Sequence, residues 1–283
     1  MNSSGGARRT SLVTGANTGI GRVTATELAR RGDRVILACR SEAKTRPVIR
    51  EIVAETGNEA VEFLPLDLGD LKSARRTADS LNERGNPIDV LVANAGLAGQ
   101  RGQTRQGFVL AFGTNHMGHF AFVTGVLDLL RAGTDSRLVV VSSDAHYAAK
   151  GIDLGRVRGR TRTVTGLREY ATSKLANVLF AQEVARRVPD EELWVGAVHP
   201  GVIATDVWRG VPRPVRPALR KVLKMKPPAE GATTSLTCAT SDVWADRSGG
   251  YFSENEPKDP SPVATPELAA RLWDYSQEWL AGA

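Results

Sequence analysis

The most restrictive feature of this chain is an alternation of short β-branched runs with longer helical patterns, and the first run enters a glycine-rich turn. Thr10 to Thr14, Arg34 to Ala38, Ala60 to Leu64, Ile88 to Val92, Arg137 to Ser142 and Leu193 to Val198 are dense in Val, Leu and Ile. Short, nearly continuous apolar runs of this kind suit parallel strands covered on both faces. Helical patterns lie between them near residues 19–31, 41–56, 70–84, 104–132 and 166–188. A last strand is expected near Gly250 to Ser253 and a C-terminal helix over Pro266 to Leu280. Such alternation implies right-handed βαβ crossovers, so the expected fold is α/β, a doubly wound parallel sheet of about seven strands with helices on both faces. With no internal repeat, residues 1–283 are expected to form a single domain.

Two segments interrupt the rhythm. Residues 150–165 form an arginine-rich insertion, and residues 207–228 are rich in proline and basic side chains, as a lid over a site would be. Both follow the C-terminal ends of expected strands, the edge where open α/β sheets bind ligands. Arg156, Arg158, Arg160 and Arg162 punctuate the insertion, and seven basic residues lie between Arg209 and Lys226. A solvated face explains such charges, and so would attraction of an anionic substrate, a carrier-bound substrate or a membrane surface.

The first strand runs into Thr14-Gly15-Ala16-Asn17-Thr18-Gly19-Ile20-Gly21 and then a helix. Glycines at these places permit a tight turn and bring backbone close to a pyrophosphate, which sits at the helix N-terminus. The second strand ends Ala38-Cys39-Arg40, where a carboxylate would select NAD through the ribose 2′-hydroxyl. The planar, permanently charged Arg40 suits a 2′-phosphate instead, which predicts NADP(H) as cofactor. Tyr170 and Lys174 stand four apart in a helical stretch and share one face. An ammonium beside a phenol stabilises the phenolate, and Ser142 and Ser143, ending a strand, could donate to a substrate oxygen.

Together these residues resemble the short-chain dehydrogenase/reductase family, a Rossmann-fold family, over roughly residues 8–280. The resemblance implies a hydride transfer between nicotinamide and a carbonyl or alcohol carbon. It makes Asn115, Ser143, Tyr170 and Lys174 the catalytic set, with Asn115 holding a water in a proton relay. It assigns Gly15, Asn17, Thr18, Gly19, Ile20, Gly21, Arg40, Asp67, Leu68, Asn94, Ala95, Gly96, Tyr170, Lys174, Pro200, Gly201 and Thr205 to the cofactor. The wording Ala38-Cys39-Arg40, Ser173-Lys174-Leu175-Ala176-Asn177 and Gly250-Tyr251-Phe252-Ser253 is similar to the retinol dehydrogenase-like branch, which implies a lipophilic or polycyclic substrate. Family members assemble as homodimers or homotetramers through the helices bearing the equivalents of Asn115 and Tyr170.

Other classes fare worse. The two cysteines, Cys39 and Cys238, fit a reducing cytoplasm and give neither a disulfide framework nor a zinc pattern. His116, His119, His146 and His199 lack a close ligand spacing, so no metal is expected. The formal net charge of +6 comes without a nucleic-acid motif. No N-terminal signal or anchor and no membrane-spanning stretch is apparent, so a cytoplasmic enzyme is expected. A non-catalytic nucleotide-binding regulator would often lack the tyrosine or lysine. A nucleotide-sugar epimerase would usually carry a longer chain and a shorter glycine motif.

Overall fold

The computed structural model describes residues 8–201 and 227–282. One eight-stranded sheet runs through it in the order β3-β2-β1-β4-β5-β6-β7-β8. The strands are β1 Thr10–Thr14, β2 Arg34–Cys39, β3 Val61–Pro65, β4 Val90–Ala93, β5 Arg137–Val141, β6 Trp194–His199, β7 Gly250–Ser253 and β8 Glu256–Lys258. All neighbours pair parallel except β7 and β8, an antiparallel hairpin turned by Glu254 and Asn255 at φ 54° and 64°. This exposed last strand was not anticipated, because the three residues Glu-Pro-Lys carry no apolar signal.

Alternation along each strand divides the core between the two faces. Leu12, Ile36, Leu91, Leu138 and Val140 point into one cluster, and Val13, Val35, Leu37, Val92 and Val139 into the other. Helices α1 (Gly19–Arg30), α2 (Glu42–Thr56) and α8 (Pro228–Thr240) lie on the second face. Helices α3 (Leu71–Arg84), α5 (Gly118–Gly125), α7 (Leu167–Arg187) and α9 (Pro266–Ala281) cover the first.

The helix expected over 104–132 is four pieces. Helix α4 (Leu110–Phe112) passes through a π-helical turn, Gly113–Met117, into α5, and α6 (Leu127–Arg131) follows. Residues upstream form a loop closed by the bridge between Gln103 and Val109. Gly118 permits the continuation: a Cβ there would stand 2.2 Å from the Leu68 carbonyl oxygen, so α5 can pass the β3–α3 loop only with glycine. Helix α9 closes the first face with Trp273, stacked on Phe180 at 6.1 Å and edge-on to Phe120 at 5.0 Å. Trp279 meets Phe108 edge-on at 4.9 Å, so both indoles pack the helix onto the core.

Candidate active site

Strand order reverses between β1 and β4, and the expected site residues gather at the C-terminal ends of these strands and of β5. The turn after β1 is shaped by steric necessity. Gly15 has φ +65° and a Cβ there would lie 3.0 Å from Ala95; Gly19 has φ +58°. A Cβ at Gly21 would fall 2.4 Å from Asn94 Nδ2, which donates to the Thr14 carbonyl at 2.9 Å. Thr18 is the N-cap of α1, so the free amides of this helix face the turn. Cys39 is buried beside the turn and burial pushes its thiol pKa up. The Gly15 amide donates to the Ala38 carbonyl at 2.9 Å and ties the turn to β2.

Arg40 is exposed just beyond β2 and makes no ion pair among the described residues. The neighbouring acid, Glu42, is held by Arg46 at 2.7 Å. Asp67 turns its loop by accepting from Gly69 N at 3.0 Å, and Leu68 beside it is buried. The Ala95 amide donates to Thr14 Oγ1 at 2.9 Å, which in turn bonds His119 Nε2 at 2.9 Å. His119 Nδ1 then donates to the Asn115 carbonyl at 2.9 Å. Burial holds His119 down to about 4, so it is a neutral bridge between β1, β4 and the π-helical turn. Gly96 leaves space in which a Cβ would be 3.5 Å from both Asn115 Oδ1 and Lys174 Nζ.

Asn115 is fully buried and its side chain is fully engaged. Its Oδ1 accepts from Leu97 N at 2.9 Å, and Nδ2 donates to Leu97 O at 3.0 Å and Ser173 Oγ at 2.9 Å. It thereby fastens the loop after β4 to α7.

The serine pair separates cleanly. Ser142 Oγ donates to the Lys174 carbonyl at 2.7 Å and is buried. Ser143 Oγ accepts from Ala145 N at 3.2 Å and stands near the Tyr170 phenol. Burial raises the Tyr170 pKa, opposed by the Ser143 hydrogen bond, so the phenol is protonated at neutral pH. Lys174 Nζ lies 5.7 Å from the Tyr170 ring centroid and donates to the Val141 carbonyl at 2.9 Å. Burial lowers its pKa to about 7. The Lys174 amine thus stands beside the Tyr170 ring.

Pro200 and Gly201, the latter at φ +87°, follow β6 on the same edge. Thr205 and residues 207–226 of the expected lid lie outside the described residues. Two neighbours of Ser143 brace the site. His146 Nδ1 donates to the Ser143 carbonyl at 2.8 Å and Nε2 accepts from Ser261 N at 3.0 Å, which fixes a neutral tautomer. Asp144 accepts from the buried Tyr251 hydroxyl at 2.6 Å and faces His199 Nε2 at 3.6 Å, joining the Ser143 turn to β6 and β7. Only the topology brings these residues together, and their spacing in sequence gives no hint of it. No cluster suited to a metal ion occurs among the described residues.

A doubly wound sheet, a glycine turn at the first strand and a serine–tyrosine–lysine group define a nicotinamide oxidoreductase architecture. The family model described as "short chain dehydrogenase" matches residues 9–215, and the chain belongs to that family. It is 41% identical over 282 residues to human "Dehydrogenase/reductase SDR family member 13", covering 97% of this chain and 73% of that protein. Human "Retinol dehydrogenase 13" is 40% identical over 276 residues, covering 95% and 83%. A short chain dehydrogenase from Escherichia coli CFT073, solved with NADPH, superposes with TM-score 0.69 at 27% identity, covering 88% and 97%.

Proposed function

We propose that the chain is a single-domain NADP(H)-dependent reductase or dehydrogenase acting on a carbonyl or alcohol carbon of a small lipophilic or polycyclic substrate. The observation that carries this reading is the convergence of Ser143, Tyr170 and the buried Lys174 at the sheet edge next to the Gly15–Gly21 turn. In reduction, Ser143 and Tyr170 hydrogen-bond the carbonyl oxygen, and the protonated phenol supplies the proton. Bound NADPH supplies the hydride. Gly15, Asn17, Thr18, Gly19, Ile20 and Gly21 would hold its pyrophosphate, and Asp67, Leu68, Asn94, Ala95 and Gly96 its adenosine side. Lys174, Pro200, Gly201 and Thr205 would hold the nicotinamide end. Among the described residues Lys174 Nζ has a single carbonyl partner, so its remaining donors are available to a ribose.

NADP rather than NAD rests on the unpaired Arg40 and is supported by the NADPH-bound relative. A lipophilic substrate rests on the similarity to a retinol dehydrogenase. No helix among the described residues is long and apolar enough to cross a membrane, and we propose a cytoplasmic site of action. Since α9 covers α5 and α7, a homodimer or homotetramer would assemble through another surface. The test is NADPH oxidation at 340 nm across a panel of aldehydes and ketones, with NADH in parallel. Turnover faster with NADPH supports the reading; binding of neither nucleotide refutes it.

A further inference from the structure

A cavity of about 730 Å³ opens beside the first turns of α7. Arg168, Glu169 and Thr172 line it, whereas Ser143, Tyr170 and Lys174 do not. At about 100° per residue, those three lining positions and the pair Tyr170 and Lys174 occupy opposite sides of the helix. The cavity is therefore separate from the catalytic group. Its volume lies in the range of small-molecule sites.

Its floor is apolar: Val109 and Phe112 by the start of α4, Ile152 and Val157 from the insertion, and Leu268 from α9. Its rim is cationic. Lys150, Arg162, Arg168 and Arg271 are all exposed, and none of these side chains has an acidic partner among the described residues. The two rim acids are engaged elsewhere. Asp153 pairs with Arg156 at 3.2 Å. Glu169 accepts from Arg162 N at 2.9 Å, from Thr163 N at 2.8 Å and from the Thr163 hydroxyl. Four unpaired cations against the one ionised carboxylate of Glu169 leave an excess of positive charge on the rim, a cost that a bound anion lowers. An apolar recess beneath them would be wasted on a bare anion and suits a hydrocarbon body.

We propose that this cavity binds an anionic amphiphile, a long-chain carboxylate with its head on the rim cations and its chain on the apolar floor. Arg168 and Thr172 share a helix with Tyr170, so occupancy would bear on the turn that positions the phenol. The insertion, whose arginines have no role in the proposed reaction, thereby forms a second site.

The test is calorimetric titration of the full chain with decanoate, and with 1-decanol and acetate as chain-only and head-only probes. One-site binding of decanoate, about tenfold tighter than either control and weakened by salt, is expected. The double variant Arg168→Glu, Arg271→Glu should weaken it by about tenfold or more while keeping NADPH-dependent turnover. Leu268→Trp, which fills the floor, should also remove binding and stands in if the charge reversals fail to fold. No decanoate binding up to about 1 mM overturns the proposal. Equal binding of decanol overturns it too, as does decanoate competing with a carbonyl substrate while unaffected by the rim variants. Binding is read without turnover, so failure here is distinguishable from failure of the oxidoreductase reading.

Discussion

Lys174 offers a test that needs neither substrate nor cofactor. Its side chain is 3% exposed, its one hydrogen bond goes to the Val141 carbonyl, and burial brings its pKa from 10.5 to about 7. Between those two values the unfolded chain binds the proton and the folded chain does not, so this residue makes stability rise with pH. The penalty is largest at and below pH 7 and fades toward pH 10.5. From pH 7 to pH 9 it shrinks by about 2 kcal/mol. Lys174→Met keeps the volume and removes the charge. It leaves no acceptor unsatisfied, because Asn177 Nδ2 also donates to the Val141 carbonyl at 3.0 Å. Urea unfolding of ligand-free wild type and variant at both pH values isolates the residue, since other titrating groups are common to the two. The variant should be the more stable at pH 7, and its advantage should narrow by about 2 kcal/mol at pH 9. An advantage unchanged with pH would refute the argument and mean that the amine titrates as if solvated.

Three further outcomes are expected. Tyr170→Phe should lower kcat for carbonyl reduction by about a hundred- to ten-thousandfold while leaving NADPH affinity near wild type, as fluorescence titration would show. Arg40→Ala should reduce kcat/KM with NADPH by about ten- to a hundredfold and leave the NADH value almost unchanged; equal losses with both nucleotides would contradict a 2′-phosphate contact. Gly118→Ala places its Cβ against backbone that cannot rotate away, 2.2 Å from Leu68 O and 2.9 Å from Leu68 C, and should cost about 3 kcal/mol in urea unfolding.

What the sequence made legible follows from which interactions are local. Strands such as Arg137–Val141 and turns such as Gly15–Gly21 are specified by their own side chains, so their positions were readable to within a residue or two. The break in the 104–132 segment was not, because α5 is buried on nearly every side and its apolar run shows no boundary. What decides the π-helical turn is a contact distant in sequence, Asn115 reaching Leu97 and Ser173. The short strand β8 escaped for a related reason: it exists by pairing with β7, and its own residues are all exposed.

The site shows the same division, and it has a chemical consequence. Sequence could name Ser143, Tyr170 and Lys174, but it could not say that Ser142 would be tied to the Lys174 carbonyl while Ser143 met the phenol. Nor could it reveal that burial brings the lysine down to about 7 against the Val141 carbonyl while holding the phenol protonated. Both features arise from burial, which the fold alone determines. A protonated tyrosine beside a serine hydroxyl can donate a proton, the form carbonyl reduction requires. Alcohol oxidation instead needs the phenolate, and burial opposes it. Oxidation therefore calls for a group that stabilises the phenolate, and Lys174, 5.7 Å from the centre of the Tyr170 ring, is placed to do so.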